Sequence, residues 1–234
     1  MKVFCDKYNM GKNLFLANNS DINKISDRIE LYFEKDQIYL INNTYKDSAK
    51  IIIDFKDRKF IQKNDLRLKD KNDIFWKIFS RERSTILDGT AGFGRDGYLL
   101  DSMKHEVTMV EYSTVVSILL KNALQRSHNN SIKLFHGNTY DFIKHSPRRY
   151  DYIYLDFMFN KLKNNSLSSK NDETLKLVSF TNNDKNKIIK LAQKKADKKV
   201  VVKEPNNSLS YLSKPNHIIK TKLITYNIYL GTNA

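Results

Sequence analysis

Seven glycines occur in 234 residues, and four of them, Gly89, Gly92, Gly94 and Gly97, fall within nine positions. A chain so poor in glycine keeps it where a side chain cannot be tolerated: at positive φ, in tight turns, or where backbone approaches a ligand. The segment Asp88-Gly-Thr-Ala-Gly-Phe-Gly-Arg-Asp96 therefore reads as a loop that cradles a small molecule. Glu111 lies 22 residues after Gly89, at the end of the next apolar run, where a carboxylate can accept both hydroxyls of a ribose. Gly92-Phe-Gly94-Arg-Asp-Gly97 spells the dinucleotide fingerprint, so a nicotinamide-dependent oxidoreductase has to be weighed. The fingerprint is displaced from the strand end, and Asp88 would repel a pyrophosphate. Acids at Asp88 and Asp96 instead suit a ligand with a cationic amino-acid end, and S-adenosylmethionine is such a ligand. Further on, Asp156-Phe-Met-Phe159 pairs an acceptor for an exocyclic amine with an aromatic ring, Phe159, that can stack on a base. His136-Gly137-Asn138-Thr139 is placed to touch an adenine or its ribose.

These residues need elements that bring them to one edge. Residues 85–88, 107–110, 132–135, 152–155 and 199–202 are short apolar strands, and helical spacing fills the intervals near 96–104, 113–124 and 185–199. Ser113 is placed to cap the helix after Glu111. Alternating strand and helix imply an α/β, Rossmann-like, doubly wound and mostly parallel sheet, with ligands beyond the carboxyl ends of its strands. Ile218–Thr221 and Tyr226–Leu230 lie close enough to form an antiparallel pair at its edge. Ahead of this sheet, residues 29–33 and 38–41 flank a Glu-Lys-Asp-Gln turn as a hairpin, and Lys50–Phe55 is a third strand. The expected organisation is a β-rich N-terminal part, 1–70, followed by a main domain, 71–234. A helix starts at Ile74, with Trp76 packed in it, and Asn160–Asp172 reads as a loop.

The 41 Lys and Arg against 26 Asp and Glu give a net charge of +15, a field that attracts polyanions, RNA or DNA first among them. A biased nucleotide composition rich in Lys, Asn and Ile codons would also raise the charge. Lys203 and the basic helix of residues 185–199 are candidate phosphate contacts. No apolar run reaches the ~18 residues of a membrane span. The single Cys5 cannot close an internal disulfide, and no metal-ligand spacing occurs, so neither a membrane nor a metal is expected. A cytoplasmic protein is the expectation.

Leu87–Asp96, Val110-Glu-Tyr-Ser-Thr-Val-Val116, Tyr152-Ile-Tyr-Leu-Asp-Phe-Met-Phe159, Val200-Val-Val-Lys-Glu-Pro205 and Ile228-Tyr-Leu-Gly-Thr232 together resemble the RsmJ family in order and spacing. That family comprises S-adenosylmethionine-dependent guanine-N2 methyltransferases of small-subunit ribosomal RNA. The resemblance runs from about residue 84 to the end and is looser before it. It implies a class I methyltransferase fold, and a partner that is small-subunit ribosomal RNA or the assembled small subunit. Cofactor contacts are implied for Arg95, Asp96, Glu111, Tyr112, Asn138, Thr139 and Asp156. Three departures stand out: Tyr112 replaces an Arg, Asn138-Thr139 a Ser pair, and Asp156-Phe-Met-Phe-Asn160 the family's Asp-Pro-Met-Phe-Pro. Asp65–Asp70 also replaces a glycine-rich segment. A non-catalytic RNA-binding or ribosome-assembly protein is the remaining alternative.

Overall fold

The computed structural model describes residues 1–5, 22–157, 170–178, 184–206 and 214–232. Two sheets organise them. The smaller has the order β1 (Lys2–Cys5), β2 (Ile29–Glu34), β3 (Gln37–Asn42), β4 (Ala49–Ile51). β2 and β3 form the expected hairpin, closed by a two-residue turn in which Lys35 takes φ 44°. β1 joins parallel to β2, and β4 stops at Ile51 rather than continuing to Phe55.

Two helices without strands follow, α1 (Arg58–Lys69) and α2 (Ile74–Ile78). Asp57 caps α1 by accepting from the Phe60 N–H at 2.9 Å, and Asp73 caps α2 by accepting from Phe75 at 2.8 Å. Trp76 packs as expected, its indole N–H donating to the Leu68 carbonyl at 3.2 Å.

From Thr85 the chain alternates: β5 (Thr85–Asp88), α3 (Arg95–Ser102), β6 (Glu106–Glu111), α4 (Thr114–Arg126), β7 (Lys133–His136), α5 (Thr139–His145), β8 (Tyr150–Asp156). After α6 (Lys170–Val178) and α7 (Lys185–Lys195) come β9 (Ala196–Pro205), β10 (His217–Lys220) and β11 (Ile224–Leu230). The seven-stranded order is β10-β11-β9-β8-β5-β6-β7. β11 is antiparallel to both its neighbours, and every other pairing in this sheet is parallel. β6 and β7 are added on one side of β5 and β8 and β9 on the other, which opens the crevice at the end of β5.

Val107, Met109, Val116, Leu119 and Leu120 belong to one buried cluster that also contains Ile29, Leu31 and Leu40 of the smaller sheet. That sheet is tied to α4, because the Ile38 N–H donates to Asn122 Oδ1 at 3.1 Å and Asn122 Nδ2 to the Asp36 carbonyl at 2.8 Å. On the opposite face, Ile143 of α5 and Ile188, Ile189 and Ala192 of α7 cover Val200, Val202 and Tyr229.

Candidate active site

The glycine loop is pinned to both strands that flank β5. The Gly89 N–H donates to the Tyr154 carbonyl of β8 at 2.9 Å, and the Ala91 N–H to the Val110 carbonyl of β6 at 3.0 Å. Gly94 precedes α3 at φ 72°, where a side chain would be strained, and Gly97 inside α3 faces Met109 and the Asp88 carboxylate. Two of the three glycines of the literal fingerprint are thus accounted for by turn and packing. The Gly92 N–H points at a carboxylate, donating to Glu111 Oε2 at 2.7 Å, so it is not presented to a pyrophosphate.

Glu111 also accepts from the Ser113 N–H at 2.7 Å and from the Tyr112 backbone. Burial pushes its carboxyl up to about 7 against those three backbone donors. A carboxylate offers about four acceptor positions, so capacity for a hydroxyl remains. Ser113 caps α4 as expected, accepting from Val116 at 3.3 Å, and its hydroxyl donates to the Val178 carbonyl of α6 at 2.6 Å.

Beyond the ends of β5, β8 and β9 lies a cleft of about 640 Å³. Its floor holds Asp88, Asp96, Tyr154, Asp156 and Lys203, and Thr90 to Phe93 and Arg95 of the glycine loop form one side. Residues of α1 form a wall, with Leu175 and Lys176 of α6 adjoining. The Lys203 ammonium sits 2.6 Å from Asp96 Oδ2 and 2.9 Å from Asp156 Oδ2. Tyr154 donates its hydroxyl to Asp96 at 2.7 Å, and the Arg67 guanidinium, bound to Asp73 at 2.8 Å, stands 3.9 Å from Asp96. Burial alone would raise the Asp96 carboxyl, but Lys203, Tyr154 and Arg67 hold it below the usual range. The same two acids hold the Lys203 ammonium above its ordinary value despite burial. Lys203 is therefore an internal counter-ion, not the phosphate contact expected of it. Asp88 is 1% exposed and has no such partner among the described residues; burial pushes its carboxyl up to about 8, opposed chiefly by the Thr90 N–H at 3.2 Å.

Of the residues singled out in the sequence, Arg95, Asp96 and Asp156 meet in the cleft. Glu111 lies behind the glycine loop. Asn138 caps α5, accepting from Tyr140 at 2.8 Å, and the Thr139 hydroxyl bonds the Gly89 carbonyl. The Tyr112 carbonyl is 3.1 Å from His136 Nε2. Phe157 is buried, with the Lys185 ammonium 5.1 Å from its ring centre, while Phe159 lies outside the described residues. The basic helix ends at Lys195, and the last residues of the expected 185–199 helix belong to β9. Lys170–Val178 is helical, so the expected loop of residues 160–172 gives way to α6 at its end. Sequence reasoning passed over Arg67, Tyr154 and the wall made by α1.

Asp156 is held firmly without the family's prolines. Its N–H donates to the Thr90 hydroxyl at 2.6 Å, and the next N–H, of Phe157, donates to the Lys203 carbonyl at 3.0 Å. A proline at 157 would lack that donor.

A family described as putative SAM-dependent methyltransferase matches residues 16–231. A protein named ribosomal RNA small subunit methyltransferase J from Francisella tularensis subsp. novicida is 30% identical, over 93% of this chain and 97% of its own. The chain belongs to this methyltransferase family. Its namesake from Buchnera aphidicola subsp. Schizaphis graminum is 29% identical, over 93% and 98% of the two chains. The family match begins at residue 16, so the likeness includes most of the N-terminal part rather than starting near residue 84. Among solved structures, a SAM-dependent methyltransferase from Neisseria gonorrhoeae shares the fold at TM-score 0.69 and 21% identity, covering 100% of this chain and 97% of that one. The enzyme is thus a SAM-dependent methyltransferase, and the nicotinamide reading falls away. The site fits the cofactor's chemistry: Asp88 is a buried carboxyl on the cleft floor that a cationic ligand would ionise, and Glu111 retains room for a hydroxyl.

Proposed function

We propose that the enzyme methylates the exocyclic N2 amine of a guanosine in small-subunit ribosomal RNA. The observation that carries this reading is Asp156, fixed at the end of β8 by Lys203 and Thr90 with its carboxylate on the cleft floor. An ionised carboxylate is an acceptor for an amine N–H and for the proton that must leave nitrogen. The +15 charge and the names of the relatives support an RNA substrate.

S-adenosylmethionine supplies an electrophilic methyl group. Glu111 would take one of its ribose hydroxyls, Asp88 and Asp96 would face its cationic end, and Arg95, Tyr112, Asn138 and Thr139 complete the proposed contacts. Asp156 orients the amine, and Phe159 stacks on the base. The guanine must leave its stack to reach the cleft floor, and catalysis is then largely positioning and exclusion of water. We assign residues 1–70 as a subdomain that supplies α1 to this cleft.

The test is methyl transfer from labelled S-adenosylmethionine to small-subunit ribosomal RNA, beside calorimetry with S-adenosylhomocysteine. Glu111→Ala should weaken cofactor binding at least tenfold, about the 1.4 kcal/mol of one lost hydrogen bond to a charged group. Unchanged affinity in that variant would remove Glu111 from the ribose site.

A further inference from the structure

Lys59, Lys63 and Arg67 follow one another at i, i+4 and i+8 on α1, stacked about 6 Å apart along the axis, and all three line the cleft. Like charges at this spacing repel, which no helix needs for its own stability. Arg67 is neutralised by Asp73 and Asp96. Lys59 and Lys63 are exposed and have no ion-pair partner among the described residues. Asp57, the acid beside them, is occupied in capping the helix.

The helix is not there to fill a core. Asn64 is its one buried residue, and Ile61 and Leu66 face solvent at 44% and 69% exposure. Phe60 anchors it, its ring 5.4 Å from Phe55 and 5.6 Å from Tyr98. An element so thinly buried, presenting two uncompensated cations to the mouth of an acid-floored cleft, is built for an anion. The acids at the floor and the cations on the wall also divide the cleft. Its floor suits a cationic cofactor end and an amine, and its wall suits phosphate.

We infer that Lys59 and Lys63 of α1, with Lys176 of α6, form the track for the phosphates flanking the target nucleotide in single-stranded RNA. This rests on the RNA reading above. It places the phosphate contacts on the helix beside the cleft, away from the solvated lysines of α7. Lys190 and Lys194 of α7 are also exposed but do not line the cleft.

The experiment compares Lys59→Ala/Lys63→Ala with Lys190→Ala/Lys194→Ala, two variants of the same net charge. Binding of a dye-labelled single-stranded oligoribonucleotide containing one guanosine is followed across a salt titration. Two lost phosphate contacts should make the slope of log affinity against log salt shallower by about 1.4 in the α1 variant, and leave the α7 variant near wild type. Calorimetry with S-adenosylhomocysteine checks that both variants keep the folded cofactor site. Equal slope changes in the two variants would reduce α1 to bulk charge and overturn the track, as would an unchanged slope in the α1 variant. Methyl transfer by the wild type reports separately on the reaction. An enzyme silent on small-subunit RNA whose α1 variant still loses slope would contradict the substrate assignment while upholding the track.

Discussion

Asp88 and Glu111 are carboxyls taken out of water with no cation in contact among the described residues. For Asp88 the sign of the consequence is set by its rise from 3.8 to about 8. Between these values the folded protein holds a proton that the unfolded chain has released, so stability falls as pH rises across that window and levels off above it. One proton gives at most about 1.4 kcal/mol per pH unit. Thermal unfolding measured from about pH 5 to 9 should show this decline in the ligand-free enzyme, and Asp88→Asn should flatten it. A profile identical in the variant would mean that Asp88 is ionised throughout. Lys203 makes the opposite case. Lys203→Met would leave Asp96 and Asp156 beside each other without their counter-ion, a loss of about 3–5 kcal/mol by denaturant unfolding. Lys203→Arg should recover part of it. If methionine were tolerated at no cost, the paired acids would have to be protonated already. The placing of the glycine loop, Glu111 and Asp156 at the ends of strands could be read from residue type and spacing. The counter-ion role of Lys203 could not, because it depends on β9 lying beside β8 and on Asp96 reaching across from α3.

At the scale of elements, the βα units were legible because their apolar periods are clean, and α4 with its Ser113 cap is the plainest instance. α1 was not, since its inward stripe is Phe60, Asn64, Arg67 and Leu68, half of it polar. α6 was hidden by a polar sequence, and its place is set by distant partners. Asn42 Nδ2 donates to the Thr174 hydroxyl at 2.8 Å, and the Tyr45 hydroxyl donates to Glu173 at 2.5 Å. The smaller sheet therefore holds the helix that brings Leu175 and Lys176 to the cleft. Thr174→Val keeps the shape but leaves the buried Asn42 amide without its acceptor, a cost of about 1–3 kcal/mol. Hydrogen exchange should rise in α6 while β5 and β6 keep their protection. Faster exchange spread evenly over both sheets would show that α6 is not a separate unit.

Across the whole molecule, one buried cluster joins the smaller sheet to the helices of the larger, so the N-terminal part is coupled to the site and not appended to it. That continuity could not be read from the sequence, where the β-rich start and the βα repeats look like separate stretches. The antiparallel pair of β10 and β11 could be anticipated from how closely the two apolar runs follow each other, whereas the order of the remaining strands is not written in the residues. The +15 charge was legible as attraction to polyanions, but a sum does not say which face carries the partner. The most direct test of the account is nucleoside mass spectrometry of unmodified small-subunit ribosomal RNA after incubation with the enzyme and S-adenosylmethionine, wild type beside Asp156→Ala. The account predicts N2-methylguanosine as the new nucleoside, and a loss of a hundredfold or more in its rate of formation in the variant, about 2.7 kcal/mol of transition-state stabilisation. A methyl group on another atom, or an Asp156→Ala enzyme as fast as wild type, would contradict it.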